Sequence, residues 1–501
     1  MVGMTVKWAR GGPDLLVVVD LEAGQLGAQI QNQLRSAIRD RRLGSGERLP
    51  STRHLAELLG VSRGTVVDVY DQLVAEGYLD TAVGAGTRVA DTATPGGSRR
   101  ARVSGAAPIS SLNWGPPPSA SARPITIDFE YGIPDLGTVP LADWAWAVAE
   151  ATRTLPRAEL GDEDLAGSRH LREVITAYHR RVRSGVAAAN DAVVVSGFRQ
   201  GLAFTLAALV KHGVTRIALE DPGPREHPHI ARRAGLEPVP VPVDDHGLDV
   251  DRLRVSGARA VLLTPAHQCP TGVALAPSRR RELIAWAEDV DGVILEDDYD
   301  AEFRYDRQAV GSLQGLRPDR VIALGSVSKT LAPAIRLGWV LSPPRFLATI
   351  VEEKRLSSRG APGLDQEALA LLMETGRFDR HLRRARELYR ARRDVLAAEV
   401  ELAFGLGRLR GLNAGCHAVL QLPDGASESR VSAVAAELGV RVKPLGDYRF
   451  DAAGLAPAEL AADRTALAPA LVLGFGNVDE QQIRRGICLI DRAAGRSRGL
   501  S

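Results

Sequence analysis

Residues 321–336 read VIALGSVSKTLAPAIR. The apolar run Val321–Leu324 predicts a buried strand, and a glycine and two serines follow it before Lys329. Arg336 comes two helical turns' worth of chain after the lysine. A lysine amine can condense with an aldehyde, and hydroxyls together with a guanidinium can hold a phosphate. The stretch therefore indicates a strand end suited to a phosphorylated aldehyde.

Similar apolar runs precede this one, and helical stretches follow most of them. Four further runs are Val193–Val195, Ile217–Leu219, Val261–Leu263 and Val293–Leu295. The alternation predicts an α/β fold with a mostly parallel sheet flanked by helices. Ligands of such folds bind beyond the carboxyl ends of the strands, so the residues that follow each run are candidates for a site.

Two other strand ends carry residues that suit the same ligand. Residues 196–201 form a glycine turn that opens a helix, and the first N–H groups of that helix could hold a phosphate. Residues 296–300 read EDDYD, an acidic run that is costly to bury unless a cation lies beside it. A protonated pyridine nitrogen would supply that cation. The sequence thus indicates pyridoxal 5'-phosphate (PLP) as a cofactor.

Each residue of this site can be given a role. Asp297 would face the ring nitrogen and keep it protonated, and Tyr299 could hydrogen-bond the 3-oxygen from the same side of the strand. We expect partial burial and the neighbouring Arg336 to lower the pKa of Lys329. Singly, Lys329 could be a surface lysine, and Asp297–Asp298 a calcium-binding or solvated loop. Their occurrence together at strand ends favours the cofactor site.

The N-terminal segment has a different pattern. Leucine and isoleucine recur every fourth residue from Leu26 to Ile38 and predict an amphipathic helix. Ser51 is a candidate N-cap for a second helix that Gly60 ends, and a third helix is predicted from Arg63 to Ala75. Two short extended pieces around the glycines of residues 79–89 follow. Together they predict a winged helix-turn-helix, which places its second paired helix in a major groove of DNA.

A basic patch accompanies these helices. Between residues 35 and 63, seven arginines minus three acidic residues give +4, in a chain whose net charge is only +2. A solvated helix face explains Arg39, Arg41 and Arg42 as well as DNA contact does. Arg53 and Arg63 are stronger candidates because they begin the paired helices, beside the hydroxyls of Ser62 and Thr65.

Length and composition set the domain organisation. With 501 residues, 45% of them apolar, the chain exceeds one ordinary domain. Residues 92–124 are rich in Pro, Gly, Ser and Ala and predict a flexible tether. We therefore expect a DNA-binding domain over residues 1–91 and a cofactor-binding domain over residues 125–501.

The cysteines and the start of the chain indicate the compartment. Cys269, Cys416 and Cys488 lie far apart without paired spacing, so we expect neither a disulfide framework nor a metal site. The apolar run Leu15–Val19 is too short to span a bilayer and is closed by Asp20. We expect a cytoplasmic protein without a membrane anchor.

Residues 49–79, LPSTRHLAELLGVSRGTVVDVYDQLVAEGYL, resemble the winged helix of GntR-type bacterial transcription factors. The positions that the resemblance implies in operator contact are Arg53, Ser62, Arg63, Gly64 and Thr65. The basic patch and the wing add Arg48 and Arg88 to the expected DNA contacts. Val67 stands where some relatives carry a further arginine.

Over residues 125–492, the segments SGFRQGL, EDPGP, TPAHQCPTG, EDDYDAEFRY, GSVSKTLAPAIRLGW and LVLGFGN resemble the motifs of fold-type-I aminotransferases in order. With the GntR-like segment, the chain resembles the MocR/GabR class of regulators, which use an aminotransferase-type fold with a small C-terminal subdomain as a sensor. The resemblance implies that Lys329 bears the Schiff base with PLP, Asp297 faces the ring nitrogen and Tyr299 the 3-oxygen. It assigns the phosphate to Ser326, Ser328, Arg336, Gly197 and the amides of Phe198 and Arg199, and it puts His267 near the ring.

Four positions depart from the aminotransferase pattern. Pro224 replaces the aromatic residue that stacks on the ring. Cys269 replaces an asparagine that hydrogen-bonds the 3-oxygen. Leu160 replaces a tyrosine that contacts the phosphate in the neighbouring subunit. Val472 stands where aminotransferases carry the arginine that clamps the substrate α-carboxylate and so positions the reacting carbon. The arginines that could replace it are Arg225 and Arg359.

Three hypotheses follow. The leading one is a homodimeric, PLP-dependent transcriptional regulator with little or no transamination, which senses PLP or a PLP-reactive amine and controls vitamin B6 or amino-acid and amine metabolism. PLP joining Lys329 would reorder the sensor and change the spacing of two DNA-binding domains. The second is an active aminotransferase with an accessory DNA-binding domain. The third is a regulator that senses an amine without an α-carboxylate.

Overall fold

The computed structural model describes residues 5–6, 15–17, 19–20, 23–40, 42–82, 86–90, 124–161, 164–305, 310–358, 360–450 and 468–498. The chain divides into two compact units, residues 1–117 and 118–501. The predicted tether lies outside the described residues except for Pro124, as do the wing tip at residues 83–85, Arg41 and Arg359. Among the described residues, no helix is long and apolar enough to cross a membrane.

The described residues of the N-terminal unit form three helices and two short strand pairs. Its elements are β1 (Thr5–Val6), β2 (Leu15–Leu16), α1 (Leu26–Arg39), α2 (Thr52–Leu59), α3 (Arg63–Ala75), β3 (Leu79–Ala82) and β4 (Gly86–Val89). The pairs β1–β2 and β3–β4 are antiparallel. The three helices and the β3–β4 wing are those that the sequence predicts for a winged helix.

Local chemistry explains where the paired helices begin and end. The hydroxyl of Ser51 accepts from the amide of His54 at 3.2 Å, and that of Ser62 accepts from the amide of Thr65 at 3.1 Å. Each serine thereby satisfies one amide that its helix leaves free. Gly60 ends α2 with a φ of +66°, a conformation that glycine adopts without strain. The apolar residues of α1–α3 meet in one core with Leu79 and Val89 of the wing.

The second unit alternates helices and strands. From its start to the middle they are β5 (Ile127–Asp128), α4 (Leu141–Thr154), α5 (Arg169–Arg183), β6 (Ala192–Val195), α6 (Phe198–Lys211), β7 (Arg216–Asp221), α7 (Glu226–Ala234), β8 (Glu237–Asp244), β9 (Gly247–Leu248), α8 (Val250–Val255), β10 (Ala260–Leu263) and α9 (Pro277–Asp289). The remaining ones are β11 (Val293–Asp298), β12 (Val321–Ser326), β13 (Gly338–Leu341), α10 (Pro344–Ser357), α11 (Gly363–Glu374), α12 (Arg377–Phe404), β14 (Leu409–Arg410), β15 (His417–Gln421), α13 (Glu428–Glu437), β16 (Val440–Arg441), β17 (Lys443–Pro444), β18 (Ala470–Gly474) and α14 (Glu480–Arg498).

An eight-stranded sheet with the order β6-β13-β12-β11-β10-β7-β8-β9 forms the centre of this unit. Strands β12, β11, β10, β7 and β8 run parallel, whereas β13 is antiparallel to both β12 and β6. All five predicted strands are present and buried. Because the parallel strands end at one edge, their carboxyl ends bring the EDDYD and GSVSK segments together there.

A smaller antiparallel sheet, β14-β15-β18-β17, forms the C-terminal part of the unit. Successive side chains of its strand β18 point to opposite faces of the sheet, and both faces are covered. Leu471 and Leu473 enter the large core shared with the main sheet. Val472 points the other way and packs in a separate cluster with Val419 and Tyr448.

Candidate functional site

The register of two neighbouring strands brings the candidate residues together. In the parallel pair β11–β12, Asp297 lies opposite Leu324 and Asp298 opposite Gly325. The chain leaves β12 at Ser326, so Lys329 follows within one short turn of the acidic strand end. Sequence order alone does not show this proximity, since some thirty residues separate the two segments.

Lys329 is half-buried, and its amine donates a hydrogen bond to the backbone carbonyl of Gly132. Its Nζ also lies 5.7 Å from the ring centroid of Tyr131. Burial lowers the pKa of this amine, while the nearby thiols and carboxyl groups oppose the shift. Burial, one of the two causes that the sequence predicts for this shift, is thus the leading one. A lowered pKa leaves more of the amine unprotonated and nucleophilic.

The acidic strand end divides between two faces of β11. Glu296 and Asp298 point to buried Arg183, whose guanidinium lies 3.7 Å and 2.7 Å from their carboxylates. Asp297 points to the opposite face, as alternation along a strand requires. The cation expected beside this acidic run is thus Arg183 for two of its four carboxyl groups. A calcium-binding or solvated loop does not describe them.

Asp297 is left without such a partner. Its Oδ1 is buried and makes no hydrogen bond within the described part of the chain. Burial, followed by the charges of Asp298 and Asp300, raises the pKa of Asp297 well above its usual value, and Lys329 opposes this. A buried acceptor of this kind is costly unless a donor meets it. A protonated ring nitrogen fits this oxygen.

Tyr299 lies one residue beyond the end of β11, and its hydroxyl donates to the backbone carbonyl of His267 at 2.8 Å. The Nδ1 of His267 lies 2.9 Å from Oδ2 of Asp300. Tyr299, which is predicted to contact the ring's 3-oxygen, therefore lies next to His267, which is predicted to lie near the ring. The phenol oxygen keeps a lone pair with which it can accept a further hydrogen bond.

The phosphate-binding candidates meet at the start of α6. Gly197 caps this helix with a φ of +93°, and a Cβ placed there would lie 3.7 Å from the guanidinium carbon of Arg336. The amides of Phe198 and Arg199 are the first two of α6, and such amides have no acceptor within their own helix. The side chain of Arg199 turns away to Glu226, at 3.0 Å. A guanidinium beside free helix amides is a combination that favours a phosphate.

Several residues around Lys329 carry no sequence motif. We call the cavity around its amine the lysine pocket; besides Lys329 and Tyr299, its walls include Tyr131, Gly132, Asp300, Cys416 and His417. Gly132 has a φ of +82°, and a Cβ there would come within 2.7 Å of Nζ of Lys329. Only glycine allows this approach. The residues of β15 and of the segment before α4 reach the pocket through non-local packing.

The predicted DNA contacts lie on exposed parts of the N-terminal unit. Arg48, Arg53, Arg63 and Arg88 are all exposed, as are Ser62 and Gly64, and Thr65 is half-buried. Arg88 donates to the carbonyl of Gly46 at 3.0 Å, and Arg53 lies 3.2 Å from Glu57. A Cβ at Gly64 would meet nothing closer than 3.7 Å, so packing inside the protein does not require glycine there.

Other arginines of the basic patch have structural partners. The guanidinium of Arg39 lies 5.5 Å from the ring centroid of Tyr78 and donates to its hydroxyl at 2.8 Å. Arg35 forms an ion pair with Glu76 at 2.8 Å. These contacts tie α1 to the segment that follows α3. The +4 patch thus overstates the charge that is free to meet phosphates.

Comparisons with known proteins agree with this architecture. Residues 26–89 match the family of bacterial regulatory proteins, gntR family, and residues 124–462 match aminotransferase class I and II. The chain is 33% identical over 469 residues to the HTH-type pyridoxine biosynthesis transcriptional regulator PdxR of Corynebacterium glutamicum, covering 92% of this chain and 94% of that protein. It is 31% identical over 480 residues to the probable rhizopine catabolism regulatory protein MocR of Rhizobium meliloti, covering 94% of each.

The chain belongs to the MocR/PdxR-type family of helix-turn-helix transcriptional regulators. The resemblance drawn from its motifs is therefore confirmed. Among solved structures, the multiple substrate aminotransferase of Thermococcus profundus superposes with a TM-score of 0.67 at 22% identity, covering 76% of this chain and 94% of that chain. This likeness confirms the predicted aminotransferase fold of the second unit.

In this MocR-type regulator, the four departures from the aminotransferase pattern have distinct surroundings. Val472 is fully buried, and Tyr131 of the lysine pocket packs against its cluster. Cys269 is also buried, which raises the pKa of its thiol and keeps it uncharged. Leu160 is 61% exposed on a short 3₁₀ turn. Pro224 and Arg225 border a second, small cavity with Tyr448.

Proposed function

We propose that this regulator binds duplex DNA through its winged helix and PLP through the lysine pocket, and that the pocket acts as a sensor. The observation that carries the proposal is the buried, unsatisfied oxygen of Asp297 on the same sheet edge as the half-buried amine of Lys329. When bound, PLP would supply an aldehyde for the amine and a protonated nitrogen for the carboxylate.

The remaining contacts follow from the side chains present. Tyr299 would serve the ring's 3-oxygen, and His267 would lie near the ring. The residues that would hold the phosphate are Ser326, Ser328, Arg336, Gly197 and the amides of Phe198 and Arg199. Two features support the phosphate assignment: the guanidinium of Arg336 beside Gly197, and the free amides at the start of α6.

A sensor is favoured over an aminotransferase by Val472. Its apolar side chain occupies the position of the carboxylate clamp, and it packs with Val419 and Tyr448. A valine side chain offers a substrate carboxylate no hydrogen-bond donor, so Val472 itself cannot orient the reacting carbon. The effector we propose is PLP itself or an amine without an α-carboxylate. Steady formation of keto acid from amino acids would favour the rival, an active aminotransferase.

The pocket also offers a means of signalling. The amine of Lys329 donates to the carbonyl of Gly132, and a ligand that engages this amine makes Lys329 give up that bond. The segment around Gly132 would then lose an anchor. In a homodimer, this change would alter the spacing of two winged helices, so that ligand affinity and DNA affinity become coupled.

The test is a titration of the purified full-length protein with PLP, followed by visible absorption, alongside Lys329→Ala and Lys211→Ala. Lys211 is an exposed lysine paired with Glu353 at 2.5 Å and is the matched control. We expect a saturable band in the wild type and in Lys211→Ala but not in Lys329→Ala. DNA affinity measured with and without PLP completes the test. An absent band, or equal DNA affinity in both conditions, would contradict the sensor.

A further inference from the structure

A cluster of three side chains, two of which line the lysine pocket, has no role in the proposed contacts to a phosphate or a ring nitrogen. His267, Asp300 and His417 are 2%, 3% and 1% exposed, respectively. One ligand-type atom from each lies within 4.8 Å of the others. They come from the loop after β10, the segment just after β11 and the start of β15, so only the folded chain brings them together.

The cluster is held in place by its neighbours. Asp300 fixes the ring of His267 through the 2.9 Å contact between Oδ2 and Nδ1. The rings of His267 and His417 lie 4.5 Å apart between centroids, tilted by 44°. The ring of Tyr131 meets His417 edge-on at 4.8 Å. The two imidazoles therefore have little freedom to turn towards other partners.

Three imidazole nitrogens of this cluster are unsatisfied within the described part of the chain. Nε2 of His267 and both ring nitrogens of His417 are buried without a hydrogen-bond partner among the described residues. The carbonyl groups of Gln268 and Pro270 face His417, but neither reaches hydrogen-bonding geometry. Buried polar atoms without partners are rare and costly, and an ion is one of the groups that commonly satisfies them.

We propose that His267, Asp300 and His417 bind one divalent transition-metal ion of the zinc class. Two imidazoles and one carboxylate form a nitrogen-rich donor set, which suits zinc and its neighbours better than magnesium or calcium. An ion would take one nitrogen of each imidazole, and zinc lies about 2.0–2.1 Å from such nitrogens. Three protein ligands leave an open position for water or for an effector.

The proposal does not rest on cofactor binding. The ion would use His267, Asp300 and His417, of which only His267 is also expected near the PLP ring, whereas the proposed contacts to PLP centre on Asp297, Lys329 and Arg336. The competing explanation is a buried His267–Asp300 hydrogen bond with His417 left unsatisfied. The two explanations differ in one respect that can be measured without PLP, namely whether the protein retains metal.

The experiment uses the full-length chain without an affinity tag, stripped with a chelator, loaded with Zn²⁺ or Co²⁺ and desalted. We expect one ion per chain in the wild type, and a Co²⁺ absorption spectrum of low coordination number. Asp300→Asn and His417→Gln should lose the ion, whereas His246→Gln, at an exposed histidine, should retain it. Circular dichroism checks that each variant is folded.

Two outcomes would overturn the proposal: wild-type protein that leaves the desalting column free of metal, or folded Asp300→Asn and His417→Gln variants that keep as much metal as the wild type. If either variant does not fold, X-ray absorption of the Co²⁺-loaded wild type decides. A nitrogen-containing shell with two imidazoles supports the site. An all-oxygen shell overturns it.

Discussion

Arg183 and Asp298 form a buried ion pair, with Nε of the guanidinium 2.7 Å from Oδ2 of the carboxylate. Both side chains are almost fully buried, and the guanidinium also lies 3.7 Å from Glu296. One arginine therefore neutralises the face of β11 that points away from the lysine pocket. Asp297, on the other face, keeps its unsatisfied oxygen for a ligand.

Removing the side chain of Arg183 should destabilise the folded protein. We expect Arg183→Met to lower the free energy of unfolding by about 3–5 kcal/mol, because two carboxylates would stay buried without their cation. Denaturant titration measures this change. The matched control is Arg199→Met, whose ion pair with Glu226 is exposed and should contribute less than about 1 kcal/mol. Equal losses in the two variants would contradict this account.

Asp297 and Asp298 should respond differently to the same substitution. Asp297→Asn replaces a buried carboxyl group, whose charged form burial disfavours, with a neutral amide, so the PLP-free protein should be at least as stable to heat as the wild type. PLP binding should weaken about tenfold or more, which corresponds to ~1.4 kcal/mol. Asp298→Asn should instead lower the melting temperature. Thermal melts and PLP titrations of both variants test this contrast, and a stability loss confined to Asp297→Asn would reverse it.

Glu220 gives a prediction about pH. Its carboxyl group is buried and accepts from the amide and hydroxyl of Thr264 at 3.0 and 2.8 Å. Burial raises its pKa from 4.5 to about 7. The folded state thus holds this proton more tightly than the unfolded chain, so the stabilisation is complete below pH 4.5 and is lost as the pH rises through about 7.

A Glu220→Gln variant lacks this titration, while its amide oxygen can still accept from Thr264. The difference in melting temperature between Glu220→Gln and the wild type should therefore grow in favour of the variant from pH 5 to pH 8. Melting curves across this range provide the measurement. A difference that is independent of pH would show that Glu220 does not titrate there.

Arg63 gives a prediction about DNA. It is exposed at the first position of α3, beside the Ser62 cap. We expect Arg63→Ala to weaken binding to a short mixed-sequence duplex and to reduce the slope of log K against log salt by about 1. Fluorescence anisotropy at several salt concentrations measures both. Arg169→Ala, at an exposed arginine of the other unit that pairs with Glu173, should change neither.

The fold could be predicted from the sequence wherever its signals are local. Serine caps, the apolar spacing of α1 and the buried runs of the main sheet each depend on a few consecutive residues, and the structure has the elements they predict. The pairing of Arg183 with Asp298 could not be predicted, because an arginine within an amphipathic helix normally lies in solvent. Arg39 illustrates the same limit, since its contact with Tyr78 depends on how α1 packs.

The lysine pocket shows a similar division. Lys329 and Asp297 follow apolar strands and could be found by motif. Tyr131, Cys416 and His417 reach the pocket only because β15 and the segment before α4 pack against the end of the main sheet. No spacing in the sequence indicates that arrangement, and a search for paired cysteines overlooks a cluster built from histidines and an aspartate.

The hydrogen bond from Lys329 to Gly132 has a consequence for the route of communication. Gly132 lies close to the point where the described chain enters the second unit, and Tyr131 beside it touches both Lys329 and His417. Of all the pocket walls, this peptide is the one nearest along the covalent chain to the winged helix. A ligand bound at the amine would therefore lie beside the segment of the pocket that is nearest along the backbone to the DNA-binding residues.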